Sequence, residues 1–492
     1  MLTIPRINLA LVVGDYGALR RSVLNMFREL RRNSQSEPQA QKQQRALLLL
    51  PLLAALGINC YSIRAEDSAS MESALSLLDA YEVARGYDTD IAVARFSVDI
   101  AAAKRDVASG KNFPQVSLFG EWSENKVNYE GSTLGRFPSQ QYSGERYGLQ
   151  LRSPVFNWRN FSEYQRQKAL VGQSTQELAI AETELLSRVV EAYLTVLLTE
   201  EDVSQFESEL SALEQQLKEA NALYAKSLLP VTEVLETQTR TDALRADVLN
   251  ARGQAAIAFE QLFQLVGFRN FSLQSITNRF ALLNSVQDVE SAANLAMELD
   301  PSIGAAKEAL LAARKSIDRE KGAWLPEVDF VYNAQYSDVG FDNLTSPPRN
   351  TSSLSLSLRY PLFEGGAGKA RLRGAWAEFY SAQQRLEGTK RDASGRARAA
   401  WVNLKSASER VLAARQAVST AATNLDASRK AVQAGTARVT DVLLALAQKT
   451  RSQRDLNEAR FQRAMSWLEL ELATGADPVA LAPKLSKALH GP

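Results

Sequence analysis

The sequence has 492 residues, of which 45% are hydrophobic and 23% are charged, and this composition excludes a disordered chain. Its 57 basic and 56 acidic side chains nearly cancel. The single cysteine, Cys60, excludes an intrachain disulfide and multi-cysteine metal sites, and the single histidine, His490, lies close to the C-terminus, so we expect no enzymatic activity, cofactor or metal.

The first 65 residues differ from the rest of the chain. A basic stretch precedes the apolar run Ala46–Ile58, which is shorter than the roughly 20 residues of a spanning helix, and Ala65 offers a small residue for cleavage. This order predicts a signal peptide with an N-terminal extension in residues 1–65, with a buried or anchoring helix as the alternative. Ile58 and Asn59 do not fit a lipoprotein signal before Cys60. Removal of this leader leaves an acidic chain without a basic face for nucleic acid.

The remaining sequence contains the same unit twice. The two copies are offset by about 212 residues before the first predicted hairpin and about 208 after it, which indicates a duplication. We therefore expect a first repeat over residues 66–300, a second over 301–475 and a C-terminal tail over 476–492. The matching segments are Pro114-Gln115-Val116 with Pro326-Glu327-Val328, Pro154-Val155-Phe156-Asn157 with Pro361-Leu362-Phe363-Glu364, and Val231-Thr232-Glu233-Val234-Leu235 with Val439-Thr440-Asp441-Val442-Leu443.

Four segments alternate between apolar and polar residues, as half-buried strands do. Such strands suit either a soluble sheet or a membrane barrel with a wet lumen. Aromatic residues near the strand ends favour the barrel, because they would form an interfacial girdle. The predicted strands are 114–127, 145–156, 326–338 and 351–363, and the girdle residues are Trp122, Tyr147, Tyr332, Tyr336 and Tyr360.

Four strands cannot close a barrel, and hydrocarbon tolerates no unpaired strand edge. Bacterial barrels begin at about eight strands, so several chains must pool their strands if these hairpins enter a membrane. Three copies would supply about twelve strands, an even number within the bacterial range. Oligomerisation is then obligatory.

Each repeat also contains very long helical patterns. An apolar seam steps by three and four residues from Ala192 to Tyr224, and the second repeat continues the same phase from Ala400 to Val432. These seams predict antiparallel coiled-coil helices over 158–228, 230–268, 367–434 and 438–474, and shorter helices near Asp88–Gly110 and Pro301–Gly322 lead into the strands. An ordinary soluble coiled coil would show the same seams.

The long helices reverse at two turns. Pro230 suits the first turn of a returning helix, and Gly435, followed by Thr436, permits a left-handed cap. Leu228 and Leu229 place apolar side chains at a helical tip, which suggests docking of a partner. Packing within the hairpin is the alternative.

Together, the duplication, the hairpin ends and the two turns resemble the TolC-like outer-membrane efflux and secretion channels over essentially the whole mature length. The resemblance implies a mixed α and β fold, in which a trimer completes a 12-stranded β-barrel in the outer membrane above a periplasmic α-barrel of long helices. It implies an equatorial region drawn from about residues 269–300 and the C-terminal tail. It further implies a passive conduit that works with a periplasmic adaptor, contacted at the helical tips, and an inner-membrane ABC or RND transporter.

The resemblance also implies a periplasmic gate near the turns. Asp441 matches the family's ring aspartate, whereas Leu444 stands at its second acidic position. Three copies of Asp441 around an axis would favour cations. The alternative for Asp441 is an acid that interacts with a helix dipole.

A second set of gate residues matches the family only in part. Thr232 and Glu233 match its polar pair, but their usual partners align with Val432 and Ala437, so we expect that link to be absent. Arg438 is a candidate substitute, with a solvated side chain as the alternative. We expect an export duct for type I protein secretion rather than drug efflux, because a lipoprotein signal is absent. A periplasmic or secreted structural coiled-coil protein is the alternative.

Overall fold

The computed structural model describes residues 74–127, 140–269, 271–274, 288–338, 347–434 and 436–490, all within one structural unit, and the expected signal peptide lies outside them. These residues form nine helices and four strands. In chain order, the elements are α1 (Leu77–Tyr87), α2 (Thr89–Gly110), β1 (Gln115–Val127), β2 (Gln140–Phe156), α3 (Trp158–Ala225), α4 (Val231–Val266), α5 (Val289–Leu299), α6 (Pro301–Gly322), β3 (Glu327–Asp338), β4 (Arg349–Arg359), α7 (Ala367–Gln433), α8 (Val439–Ala473) and α9 (Pro478–His490).

The four strands form one antiparallel sheet in the order β1-β2-β3-β4. Its register pairs Leu118 with Leu149, Leu149 with Ala334, and Ala334 with Ser352. Because directly paired residues share a face, the apolar alternation of each strand falls on the same side of the sheet. Within the described residues, β1 and β4 each have one edge without a neighbouring strand.

Two strand ends lie four or more residues from those expected from the sequence. β2 begins at Gln140, five residues earlier than expected, and β4 ends at Arg359, four residues before the expected end. Pro361 has no N–H group to donate to a ladder, and Gly365 and Gly366 adopt positive φ angles of 58° and 89° as the chain turns into α7. The expected strand 351–363 is therefore wrong at its C-terminal end.

The two coiled-coil pairs dominate the fold. α3 pairs with α4, and α7 pairs with α8, while α8 also packs against α3. α3 has 68 residues and is about 100 Å long at 1.5 Å per residue. The seam residues Val196 and Leu213 of α3 and Val411 and Leu425 of α7 are buried, whereas Tyr224 at the end of the α3 seam is exposed.

Two shorter helices precede the two hairpins and repeat the same design. Asp88 caps the N-terminus of α2, and Asp300 caps that of α6, each by accepting backbone N–H bonds. α2 packs on α3, α3 packs on α6, and α6 packs on α7. The order α2–α3–α6–α7 therefore leaves α2 and α7 at the two ends of a row.

The largest hydrophobic core surrounds the middle of α3. The hydroxyl of Tyr193 donates a 3.0 Å hydrogen bond to the carbonyl of Leu75, and burial raises the pKa of this phenol. Residues 478–490, expected only as part of a C-terminal tail, form α9, whose Leu485 and Leu489 are buried in this core. Hydrophobic burial thus fixes α9 against α1 and α3.

Candidate gate at the turns between the long helices

The two turns at the ends of the long helices close in the same way. In the first turn, the Leu228 N–H donates to the carbonyl of Leu223 at 3.0 Å, and in the second, the Thr436 N–H donates to the carbonyl of Ala431 at 2.9 Å. Ser227 adopts a φ of 60°, a left-handed conformation that usually belongs to glycine. Gly435, the equivalent residue and a predicted tip residue, lies outside the described residues.

The returning helices begin differently in the two repeats. Arg438 is the N-cap of α8, and its backbone N–H donates a 3.0 Å hydrogen bond to the carboxylate of Asp441. Pro230 is the N-cap of α4 and has no N–H, so Glu233 has no equivalent donor there. The carboxylate of Asp441 therefore caps a helix, which agrees with the alternative role derived from its position.

Among the described residues, one side-chain hydrogen bond joins the two turns. Thr440 donates its hydroxyl to the carboxylate of Glu236 at 3.2 Å, from the first turn of α8 to α4. Neither residue is among the gate residues predicted from the sequence, although Glu236 is the repeat equivalent of Leu444. Leu444 stands at the family's second acidic position, and its counterpart in the first repeat is the acidic Glu236. A comparison of the two repeats at this position would have identified Glu236.

The four predicted gate residues lie at two helix starts rather than in one bonded cluster. Thr232 and Glu233 occupy the first turn of α4, while Arg438 and Asp441 flank the start of α8. Within the part of the chain that the structure describes, the guanidinium of Arg438 makes no hydrogen bond or ion pair. Arg438 thus participates through its backbone, and the link between the turns belongs to Thr440 instead.

The first helical tip is apolar and open to solvent. Leu228 is 68% exposed, Pro230 is exposed, and Leu229 is half-buried. Thr436, the repeat equivalent of Leu228, is exposed and polar. Of the two tips, the first therefore presents the larger apolar surface among the described residues.

A leucine cluster lies behind the turns and connects the two coiled-coil pairs. Leu213 of α3 and Leu244 of α4 pack with Leu443 and Leu446 of α8. Beside this cluster, burial raises the pKa of Glu209, although a hydrogen bond from Thr450 and attraction by nearby arginines oppose the shift. Separating the pairs would expose both the leucines and this carboxylate.

The predicted girdle aromatics lie on the sheet or just beyond it. Trp122 is 69% exposed, and Tyr147 stacks on Tyr336 with ring centroids 4.9 Å apart. Tyr332 pairs with Leu151 in the ladder, whereas Tyr360 follows the end of β4 and is exposed. Trp122, Tyr147, Tyr332 and Tyr336 all share the apolar face.

The two faces of the sheet differ sharply in polarity. Leu118, Leu354, Leu356 and Leu358 are each at least 67% exposed on the apolar face. The opposite face carries serines and two ion pairs between strands, Arg146 with Glu121 and Arg152 with Asp329. An exposed apolar face of this extent indicates contact with lipid or another apolar phase, with the polar face toward water.

Among the described residues, no cluster of three or more histidine, cysteine, aspartate or glutamate side chains could hold a metal ion. None of the described helices combines the length and apolar composition needed to cross a membrane.

The geometry at the turns offers hydrogen bonds, charges and an apolar tip, which suit the control of a passage and the docking of a partner.

Comparison with known proteins gives a consistent family assignment. The family model described as outer membrane efflux protein matches residues 80–268 and 292–476. The proteases secretion protein PrtF of Dickeya chrysanthemi is 23% identical over 416 residues, covering 83% of this chain and 90% of PrtF. The outer membrane protein TolC of Escherichia coli K12 is 23% identical over 455 residues, covering 89% of each chain.

A solved structure shares the fold. The structure of CusC, described in connection with transmembrane channel formation, superposes with a TM-score of 0.72 at 16% identity, covering 84% of this chain and 96% of CusC. The two matched segments of the family model correspond to the two repeats, so the comparison supports the duplication seen in the sequence.

Proposed function

Because the chain belongs to the outer membrane efflux protein family, it is an outer membrane channel that extends into the periplasm and is not an enzyme, and we propose that three copies form one export duct. Channels of this family form trimers and work within tripartite systems. Membership in this family excludes the alternative of a periplasmic structural coiled-coil protein. The open four-stranded sheet with its exposed apolar face carries the proposal.

In the proposed trimer, β1 of one copy pairs with β4 of the next. This pairing satisfies both open edges and gives a barrel of about twelve strands. Trp122, Tyr147, Tyr332, Tyr336 and Tyr360 then lie at the membrane interfaces, where aromatic rings are favoured. The face that carries the ion pairs lines the lumen, where its polar side chains contact water.

The periplasmic gate lies at the turns. Three copies of Asp441 and Glu233 would surround the narrow end and concentrate negative potential, which favours cations. Thr232 and Arg438 border the same opening. The coiled coils untwist to open it, and the leucine cluster of Leu213, Leu244, Leu443 and Leu446 limits this motion within one chain.

A periplasmic adaptor docks on the helical tips and links the duct to an inner-membrane ABC or RND transporter, which supplies the energy. The adaptor contacts are Leu228, Leu229 and Pro230 at the apolar tip, with Gly435 and Thr436 at the second. Burial of Leu228 against an apolar partner would stabilise the complex by about 2 kcal/mol.

Type I protein secretion is the favoured use of the duct. Its support is the likeness to PrtF, which is named for protease secretion, and the absence of a lipoprotein signal before Cys60. Drug efflux is the competitor. Cells that lack their own outer membrane channel but keep a protease-specific pump and adaptor should release protease when this chain is supplied, whereas restored drug resistance without release would favour efflux.

The channel itself is tested first with purified protein. We expect the membrane-extracted protein to have the mass of a trimer in detergent and to give small, cation-selective conductance steps in planar bilayers. A detergent-free soluble monomer without conductance would overturn the proposal.

A further inference from the structure

The two coiled-coil pairs differ in charge at one set of equivalent positions. In the first pair, the guanidinium of Arg252 on α4 lies 2.6 Å from the carboxylate of Glu207 on α3. Under the offset of about 208 residues, Glu207 corresponds to Arg415 on α7, and Arg252 corresponds to Arg460 on α8. The second pair therefore has two arginines where the first pair has an ion pair.

The pattern of burial supports this correspondence on both sides of the two positions. The equivalent buried residues are Val248 with Leu456 and Ala258 with Ser466 on the returning helices, and Val196 with Leu404 and Leu213 with Ala421 on the long helices. Because α7 pairs with α8 as α3 pairs with α4, Arg415 and Arg460 face each other across the second pair.

Among the residues that the structure describes, no acidic side chain pairs with Arg415 or Arg460. The positions three and four residues away on their own helices, where a helical ion-pair partner would stand, hold Val411, Leu412, Val418, Ser419, Leu456, Asn457, Arg463 and Ala464. Burial and repulsion by Arg415 lower the pKa of Arg460, and attraction by Glu201 of α3 opposes them. Glu201 lies beyond ion-pair distance and accepts a hydrogen bond from Gln205 instead.

A third arginine and an unused amide lie beside this pair. Arg463 is only 9% exposed, and burial and repulsion by Arg415 lower its pKa. The buried Nδ2 atom of Asn457, one turn before Arg460, donates no hydrogen bond within the described part of the chain. Guanidinium and amide donors gathered without a carboxylate are the groups that bind an oxyanion in proteins.

We propose that Arg415 and Arg460, with Arg463 beside them, bind an oxyanion of the phosphate class between α7 and α8. The ion takes the place that the carboxylate of Glu207 has in the first coiled-coil pair, and it joins α7 to α8. A tetrahedral oxyanion fits better than a carboxylate, because two guanidiniums offer more N–H donors than two carboxylate oxygens accept. Since Arg460 is half-buried, a small free ion reaches it more readily than a side chain of a partner protein.

Calorimetric titration of the membrane-extracted protein with inorganic phosphate, at constant ionic strength, tests the site. We expect saturable binding to the unsubstituted chain and about a tenfold loss of affinity in Arg460→Gln, because a charged hydrogen-bond donor is removed. Arg252→Gln is the matched control, since it changes the equivalent position of the first pair, and it should leave the phosphate affinity unchanged.

A second variant tests the correspondence between the two pairs. Arg415→Glu recreates the arrangement of Glu207 and Arg252. It should abolish phosphate binding and raise the thermal midpoint of unfolding in phosphate-free buffer, because a carboxylate then occupies the place of the ion.

Four results would overturn the proposal. The first is absent or unsaturable phosphate binding, and the second is equal affinity in the unsubstituted chain, Arg415→Glu and Arg460→Gln. Tighter binding of acetate than of phosphate would assign the site to carboxylates. A lower thermal midpoint of Glu201→Gln in phosphate-free buffer would make Glu201 the counter-ion of Arg460.

Discussion

The hydroxyl of Thr440 donates a 3.2 Å hydrogen bond to the carboxylate of Glu236 and ties the start of α8 to α4. In the duplication, Thr440 corresponds to Thr232, and Glu236 corresponds to Leu444. The repeat-related contact between two copies would therefore place a hydroxyl against a leucine and could not form the same bond. The polar link therefore joins the two turns of one chain.

Thr440→Val should loosen this end of the channel. The substitution keeps the shape of the side chain and removes the donor, at a cost of about 1 kcal/mol per copy. We expect larger conductance steps in planar bilayers and greater sensitivity of cells to external antibiotics. The matched control is Thr239→Val, because the Thr239 hydroxyl bonds only the Leu235 carbonyl of its own helix at 2.8 Å. Equal effects of the two variants would contradict a role for the link.

Two substitutions at Asp441 separate its charge from its helix cap. Asp441→Asn keeps an oxygen that can accept the Arg438 N–H, whereas Asp441→Ala removes it. Both should reduce cation preference in bilayers if three copies form a ring, because both remove the charge. Only Asp441→Ala should also lower the free energy of unfolding, by about 1 kcal/mol, because it removes the helix cap. Unchanged ion selectivity of Asp441→Asn would argue against the ring.

Adjacent residues on β4 provide a test of which face meets lipid. Leu356 is 69% exposed on the apolar face, and Ser355 lies on the opposite face. Leu356→Arg should hinder assembly in the outer membrane, since arginine at the bilayer midplane costs about 2–4 kcal/mol. Ser355→Arg should permit assembly and change only the conductance. The measurement is the yield of trimer extracted from membranes, and similar yields for both variants would be inconsistent with the assigned faces.

The strands and long helices could be predicted from the sequence, because burial of one face repeats apolar residues at the period of the strand or helix. The alternation of Leu354, Leu356 and Leu358 with serines identified β4, and the long seam through Val196 and Leu213 identified α3. The end of β4 was not visible, because it depends on how the glycines after Pro361 turn the chain. The Thr440–Glu236 bond was not visible either, since it joins residues about 200 positions apart and only tertiary packing brings them together.

The stability of the fold around the start of α3 should depend on pH through Glu163. Burial would raise the pKa of this carboxyl, but hydrogen bonds from Arg166 and Gln167, attraction by Arg166, and a hydrogen bond from Arg319 of α6 lower it to about 2. A depressed pKa means that the ionised form stabilises the fold above the ordinary value near 4.5, and that this contribution is lost as the pH falls toward 2.

Glu163→Gln should therefore lower the free energy of unfolding at pH 7 by about 2 kcal/mol, as expected for charged hydrogen bonds. In thermal unfolding of the detergent-solubilised protein, the difference between Glu163→Gln and the unsubstituted chain should shrink between pH 4.5 and 2. Glu177→Gln, on the same helix and bonded only to Gln173, is the matched control and should leave the profile unchanged. A constant difference between Glu163→Gln and the unsubstituted chain across this pH range would show that the ionised carboxylate does not stabilise the fold.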